Sequence, residues 1–349
     1  MRGETEVRKR GIQTNKSKWW MIITLALSLI LAGCSSSTND EHAEHGGVPL
    51  ASESASSEAT ATPASESKPY LTFKDHTDQQ VVLEKKPEKL VILNTEVVEL
   101  LYQLGGTAAG IATAPGTPVP EAAKGAKQVG LINEVSIERI VSLKPDLVIG
   151  QSFFHAGLRE TLASNGIPLA LTKLDSYDSI QETGKLLGQI IGKESETEKM
   201  LKETDEKVQT IVNKAPDRSY KYAMISMMSM GISLEKSGNI ALDIAGRLKI
   251  SNVAESMESG PKPDAVPYSL EKLVEADPDY LFLLVYGTEE LGKQMLEKDL
   301  ASNPAWSSLQ AVKENNVFFL TSEFVNTSGL EIDKTFEHFG KLVYPDVFK

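Results

Sequence analysis

The sequence predicts an α/β fold of two similar lobes, each with a mainly parallel sheet, joined by a single long helix around a ligand cleft. Three observations lead there. First, Ser136-Ile-Glu-Arg-Ile-Val-Ser-Leu-Lys-Pro-Asp-Leu-Val-Ile149 recurs as Ser269-Leu-Glu-Lys-Leu-Val-Glu-Ala-Asp-Pro-Asp-Tyr-Leu-Phe282, with Ser, Glu, Val, Pro and Asp in register. Each copy reads as an amphipathic helix, a Pro-Asp turn and a strand apolar enough to be buried on both faces. Second, short apolar runs alternate with helical stretches on both sides of the middle, the pattern of a parallel sheet covered by helices. Third, residues 194–214 contain no Gly or Pro and are dense in Glu and Lys, with apolar Met200, Leu201, Val208, Ile211 and Val212. At 1.5 Å per residue this is one helix of about 31 Å, enough to brace two lobes. A repeat this far apart does not suit a solenoid, whose period is about 20–50 residues.

In chain order, Arg8, Lys9, Arg10, Lys16 and Lys18 precede an apolar run over residues 19–31 that ends in Leu31-Ala-Gly-Cys34. Thirteen residues fall short of the roughly 20 that span a bilayer, so the segment reads as a secretory signal over residues 1–33. Leu-Ala-Gly-Cys resembles the lipobox of bacterial lipoproteins, which implies cleavage before Cys34 and its lipidation, anchoring the chain on the outer face of the cell membrane. Cys34 is the only cysteine, so no disulfide can form within the chain. Residues 34–68 are Ser, Ala, Thr and Glu with almost no large apolar side chain, a tether unable to offset the entropy of ordering. His42 and His45 lie in it, spaced to hold a metal ion weakly or simply to be solvated. Cleavage removes six basic and two acidic residues and takes the formal charge from −12 to −16, which argues against nucleic acid and against broad contact with anionic lipid.

The first lobe, residues 69–192, opens on a hairpin (70–73 and 81–83 around a polar turn over 74–80). A buried strand over 89–94 and a helix over 97–104 stopped by Gly105-Gly106 come next. Residues 108–112, 147–150 and 168–172 read as further strands. After the linking helix, residues 193–216, the second lobe covers residues 217–349, with strands over 221–226, 280–286 and 316–321. A rigid helical connection implies small closure rather than a wide hinge.

Lys89-Leu-Val-Ile-Leu-Asn94, Glu99-Leu-Leu-Tyr-Gln-Leu-Gly105 and the doubled Ser-x-Glu…Pro-Asp segment resemble the helical-backbone substrate-binding proteins of bacterial ABC importers, over about residues 70–349. That resemblance implies a monomer delivering a ferric siderophore, haem or vitamin B12 to a membrane permease dimer with its ATPase. It also implies that Glu138 and Glu271, one on the tip of each lobe, pair with permease arginines. A carboxylate–Arg contact is directional, so two of them held apart by a strut read orientation. A Glu near a helix start also serves the helix dipole, whatever its other role.

Ligands in such sheets gather beyond the carboxyl ends of the strands. The loops there are residues 94–96, 113–117, 151–157, 227–233, 286–288 and 323–327, with Arg159 just beyond. They supply Asn94, Thr95, Phe153, Phe154, His155, Met228, Met230, Tyr286 and Phe324 as candidate contacts. These loops hold no Lys or Arg, which leans away from a highly charged ferric chelate and leaves haem, a neutral siderophore or a corrinoid. For haem, Tyr286 and His155 are the candidate iron ligands, from matching loops of the two copies. Each also has a structural reading, Tyr286 at a core edge and His155 as a hydrogen-bonded wall residue. No cofactor of the protein's own is implied, since the iron travels with the ligand. Ser233-x-x-Lys236 and Ser269-x-x-Lys272 match the Ser-x-x-Lys of penicillin-binding enzymes, but no Lys-Thr-Gly follows and no other catalytic motif appears. The expectation is a binding protein and not an enzyme; a structural surface lipoprotein with an empty cleft is the alternative of another class.

Overall fold

The computed structural model describes residues 68–115, 117–228, 231–285, 288–321 and 328–349. The signal, Cys34 and all but the last residue of the tether lie outside the described residues, as do His42 and His45. Among the described residues no helix is long and apolar enough to cross a membrane.

The first lobe starts with an antiparallel hairpin, β1 (Leu71–Lys74) and β2 (Gln80–Leu83). It continues through β3 (Leu90–Ile92), α1 (Thr95–Gln103), β4 (Gly110–Thr113), β5 (Lys127–Leu131), β6 (Glu134–Val135), α2 (Ile137–Ser142), β7 (Leu147–Gln151), α3 (Ser152–His155), α4 (Arg159–Ser164), β8 (Leu169–Thr172) and α5 (Tyr177–Ile191). Its sheet runs β6-β5-β4-β3-β7-β8, parallel except for the β5–β6 edge. The linking helix is α6 (Glu194–Lys214). The second lobe holds β9 (Lys221–Met228), β10 (Gly231–Glu235), α7 (Ile240–Arg247), β11 (Ser251–Asn252), β12 (Ala265–Pro267), α8 (Leu270–Ala276), β13 (Tyr280–Val285), α9 (Glu289–Asp299), α10 (Gln310–Lys313), β14 (Val317–Thr321) and α11 (Ile332–Val343). Its sheet runs β12-β10-β9-β13-β14 with β11 beside β9; β9, β13 and β14 are parallel, and β10 and β12 antiparallel.

Both central strands are buried along their length, β13 completely, because helices cover both faces. Side chains alternate between two cores accordingly. Ile92, Leu147 and Ile149 of the first lobe and Tyr222, Met224, Phe282 and Leu284 of the second all belong to one continuous inner core, under α1, α5, α6, α7 and α11. Val91, Leu93 and Val148 face a separate outer core in the first lobe, and Ile225, Leu281, Leu283 and Trp306 one in the second. The joint between the lobes is therefore wider than the single helix expected.

On α6 the buried seam is Thr197, Leu201, Thr204, Val208 and Ile211, a spacing of three and four residues. Met200, expected on that face, is exposed, while Thr197 packs against Gly188 of α5 and Thr204 donates to the Leu330 carbonyl at 3.0 Å. A Cβ on Gly184 would lie 2.8 Å from Leu201, and one on Gly188 2.7 Å from Thr197. Side-chain contacts reinforce the joint. The Tyr177 N–H donates to Asp243 at 2.9 Å, Arg247 pairs with Asp243 at 2.8 Å and Asp178 at 2.9 Å, and the Leu330 N–H donates to Gln103 at 2.6 Å.

The doubled segment is doubled in space. Ser136 and Ser269 cap α2 and α8, each accepting the N–H three residues on at 3.3 Å. Lys144 (φ 49°) and Asp277 (φ 39°) both turn the chain through the left-handed region before the proline. The aspartate after each proline ties its strand to the next: Asp146 accepts the Glu88 and Lys89 N–H groups, both at 3.0 Å, and Asp279 that of Lys221 at 2.7 Å. The repeated Pro-Asp is thus a corner that sets the register of β3 on β7 and of β9 on β13.

Candidate functional site

The carboxyl ends of β3, β4, β7 and β8 in one lobe and of β9, β13 and β14 in the other define the candidate cleft. At the end of β7, Phe153 is 80% exposed and Phe154 44%, their rings edge to face at 4.9 Å. Two adjacent large apolar side chains left in water are the informative kind of exposure. Thr95, half-buried, is the first residue of α1.

Three expected contacts have other work. Asn94 is fully buried: its Oδ1 accepts the Glu96 N–H at 3.0 Å, capping α1, and its Nδ2 donates to Thr172 Oγ1 at 2.9 Å. Its amide is spent on holding the β3 turn against β8. His155 is 1% exposed, with Nδ1 accepting the Gln151 N–H at 2.9 Å, so Nε2 carries the proton and donates to the Ile132 carbonyl at 2.8 Å. Burial lowers its pKa, and with both nitrogens engaged it has none to offer iron. Arg159 pairs with the fully buried Asp75 carboxylate in the β1–β2 turn and donates to the Leu169 carbonyl at 2.9 Å. It fastens the hairpin to β8 and does not clamp an anion. Met230, Tyr286 and Phe324 lie outside the described residues, and of Met228 only the backbone, at the end of β9, is described.

Polar groups also stand along the junction of the lobes. Lys173 and Asp175, just beyond β8, pair at 2.6 Å, so the floor holds a lysine after all. Glu96 opens α1 at the junction of the lobes, where the Ser328 hydroxyl donates to its carbonyl at 2.5 Å. Burial first, and the charge of Asp175 second, push its carboxyl up to about 7. From the second lobe, Ser233 Oγ lies 3.4 Å from the Glu235 carboxylate, whose pKa is raised by burial, with the charge of Asp264 adding to the effect against neighbouring hydroxyls. Glu96 lies in a loop the sequence singled out, but the loop after β8 was overlooked; the strand-end rule, applied there too, would have found Lys173 and Asp175.

Glu138 and Glu271 occupy the first turns of α2 and α8, both exposed. Neither is in an ion pair among the described residues. Two cavities of about 550 Å³ lie in the second lobe, one between the start of β9 and α8, lined by Lys221, Asn252 and Lys272, the other between β10 and α9, lined by Ile232, Leu291 and Met295.

Comparison with known proteins adds the lineage. Residues 90–324 match the model of the periplasmic binding protein family. The chain is 25% identical over 313 residues to the putative ABC transporter substrate-binding lipoprotein YhfQ of Bacillus subtilis, covering 85% of this chain and 88% of that one. It is 24% identical over 311 residues to the Fe(3+)-citrate-binding protein YfmC of the same organism, covering 87% and 89%. Among solved structures, it is similar to Staphylococcus aureus SirA complexed with staphyloferrin B (TM-score 0.65, 22% identity, 78% of this chain and 98% of that one). It is likewise similar to S. aureus IsdE complexed with heme (TM-score 0.64, 20% identity, 73% and 98%). With the family model spanning both lobes and the cleft between them, the chain belongs to the periplasmic binding protein family.

Proposed function

We propose that this chain is the substrate-binding lipoprotein of an ABC importer: anchored through Cys34 outside the cell membrane, it takes up an iron complex between its lobes and docks Glu138 and Glu271 on a permease dimer. The observation that carries the reading is the pair of equivalent helices, each presenting an exposed glutamate in its first turn. In a parallel α/β lobe the helices run opposite to the strands, so these first turns share the rim with the strand ends where ligand binds. An exposed carboxylate on a rigid helix start is suited to bidentate pairing with arginine. The names of YhfQ and YfmC support the importer and the iron complex respectively. The exposed Phe153–Phe154 pair supplies a stacking wall, and no chemistry on the ligand is required. With His155 committed to the fold, haem as ligand would rely on Tyr286.

The test is uptake of radioactive iron complexes by cells carrying the Glu138→Ala/Glu271→Ala double variant. The expected outcome is uptake reduced at least tenfold, each single variant intermediate, while ligand binding by the purified protein is unchanged. Full uptake with both glutamates removed would end the docking assignment.

A further inference from the structure

At the carboxyl ends of the first-lobe strands the inner face of the sheet turns polar in one step. Ile92, Ile149 and Ala170 of β3, β7 and β8 belong to the inner core. Side chains alternate, so two residues further on Asn94, Gln151 and Thr172 stand on the same face, with Gln151 level with Thr172 in the register. Gly150 fixes the phase, since a Cβ there would meet His155 at 2.9 Å and Leu171 of the outer core at 3.2 Å. Two of these three polar side chains satisfy each other: Asn94 Nδ2 donates to Thr172 Oγ1 at 2.9 Å, and that hydroxyl donates to the Gly150 carbonyl at 3.1 Å. Gln151 does not join them. Its Oε1 is buried and has no hydrogen-bond partner, and although the residue stands at the cap position of α3 its side chain accepts no N–H there.

The Gln151 backbone is held from two sides. It pairs with Thr172 in the β7–β8 ladder, and its N–H donates to His155 Nδ1 at 2.9 Å while Nε2 of the same ring donates to the Ile132 carbonyl. The exposed rings of Phe153 and Phe154 follow directly in the chain. Consecutive α-carbons are 3.8 Å apart, so those of Gln151 and Phe153 lie within about 7.6 Å of each other, inside the footprint of one chelate. The inner core on this face is shared by both lobes, so a small parting of the lobes uncovers the Gln151 oxygen and closure on a ligand covers it again. A carbonyl oxygen kept from water without a donor is unfavourable, and a donor that reaches it removes the penalty.

We propose, on the iron-complex reading above, that Gln151 is a specificity-determining contact whose Oε1 accepts an N–H or O–H from the edge of a ligand lying against Phe153 and Phe154. The class this selects is an iron complex whose organic shell carries neutral amide or hydroxyl donors, a ferric hydroxamate with backbone amides being a simple example. The buried oxygen offers nothing to an ionised carboxylate, which accepts and does not donate.

The experiment measures by calorimetry, on the detergent-solubilised full chain, the affinity for two probes: a linear ferric trishydroxamate with secondary amides in its backbone, and the same complex with those amides N-methylated. The expected result is about tenfold tighter binding of the secondary-amide form, the contribution of one hydrogen bond between neutral groups. Gln151→Met, similar in size and without the amide, should bring the ratio close to one. The comparison of the two probes on the unaltered chain keeps the test decisive if that variant folds poorly. Equal affinity for the two probes, or a preference that survives Gln151→Met, overturns this inference and leaves the importer reading standing, as does binding of haemin or ferric dicitrate without either hydroxamate. Silence toward every iron complex overturns both.

Discussion

The two copies of the helix–corner–strand segment agree in their caps, their left-handed turn residues and the aspartate that ties strand to strand, and differ in nearly everything around them. In the first lobe the sheet grows from β3 through parallel β4 and β5; in the second it grows from β9 through antiparallel β10 and β12. Beyond β7 comes an exposed pair of phenylalanines, whereas beside β13 the inner face carries the fully buried Ser226, in register with Ser233. The duplicated part forms the corners and carries Glu138 and Glu271 in exposed first turns; what surrounds it is not repeated. Exposed aromatic rings at one strand end and buried serines by the other are a difference a symmetric pair of lobes would not show.

Five substitutions break or sharpen that comparison. The largest effect belongs to a device found only in the first lobe, the buried Asp75–Arg159 pair. Asp75→Ala leaves Arg159 and several N–H groups without their acceptor and should cost about 3–5 kcal/mol in chemical denaturation. Burial opposes the Asp75 charge, but hydrogen bonds from Thr77, Arg159 and Leu171 outweigh it and hold its pKa below the ordinary value. Its contribution is therefore present above about pH 4 and is lost as pH falls through the lowered pKa, so the wild-type advantage over Asp75→Ala should fade in acid.

Next, Leu201→Ala in the α6 seam should cost about 2–4 kcal/mol and lower a single unfolding transition shared by both lobes. Two separated transitions would mean that the lobes do not share their inner core. The corner aspartates come third: Asp146→Ala frees two N–H groups and Asp279→Ala one, so the losses should be about 2 and about 1 kcal/mol respectively. Equal losses would show that the second N–H bond adds nothing.

The smallest effect is at Glu96. Its folded pKa, about 7, lies above the ordinary glutamate value, so the protonated form favours the fold and that advantage is lost as pH rises toward and past 7. Glu96→Gln should accordingly stabilise the protein by about 1 kcal/mol at pH 8 and by little at pH 4. Stabilisation that is the same at both pH values would contradict the assignment.

Much of this architecture could be read from the residues. Strands such as β7 and β13 are continuous apolar runs because both faces are covered, and α6 is legible from its lack of Gly and Pro. β5, β10 and β12 were missed for the opposite reason: lying toward sheet edges, they bury one side chain each, Val129, Leu234 and Val266, and leave no run to recognise. The site was less legible. Asn94, His155 and Arg159 have the chemistry of ligand contacts, but whether a polar group is free depends on partners distant in sequence: Thr172, Ile132 and Asp75 satisfy them here. Gln151 shows the converse, an inconspicuous residue beside the phenylalanines whose side-chain oxygen is buried without a partner.

The most direct test of the proposed function is whether an iron complex binds against the exposed Phe153–Phe154 pair. Calorimetric titration of the full chain with ferric siderophores, haemin and cobalamin is preferable to tryptophan fluorescence, since Trp306 is buried in the outer core of the second lobe. The account predicts saturable one-to-one binding of an iron complex, weakened at least tenfold by Phe153→Ala/Phe154→Ala. Saturable binding of cobalamin alone, or affinity for an iron complex indifferent to both phenylalanines, would contradict it.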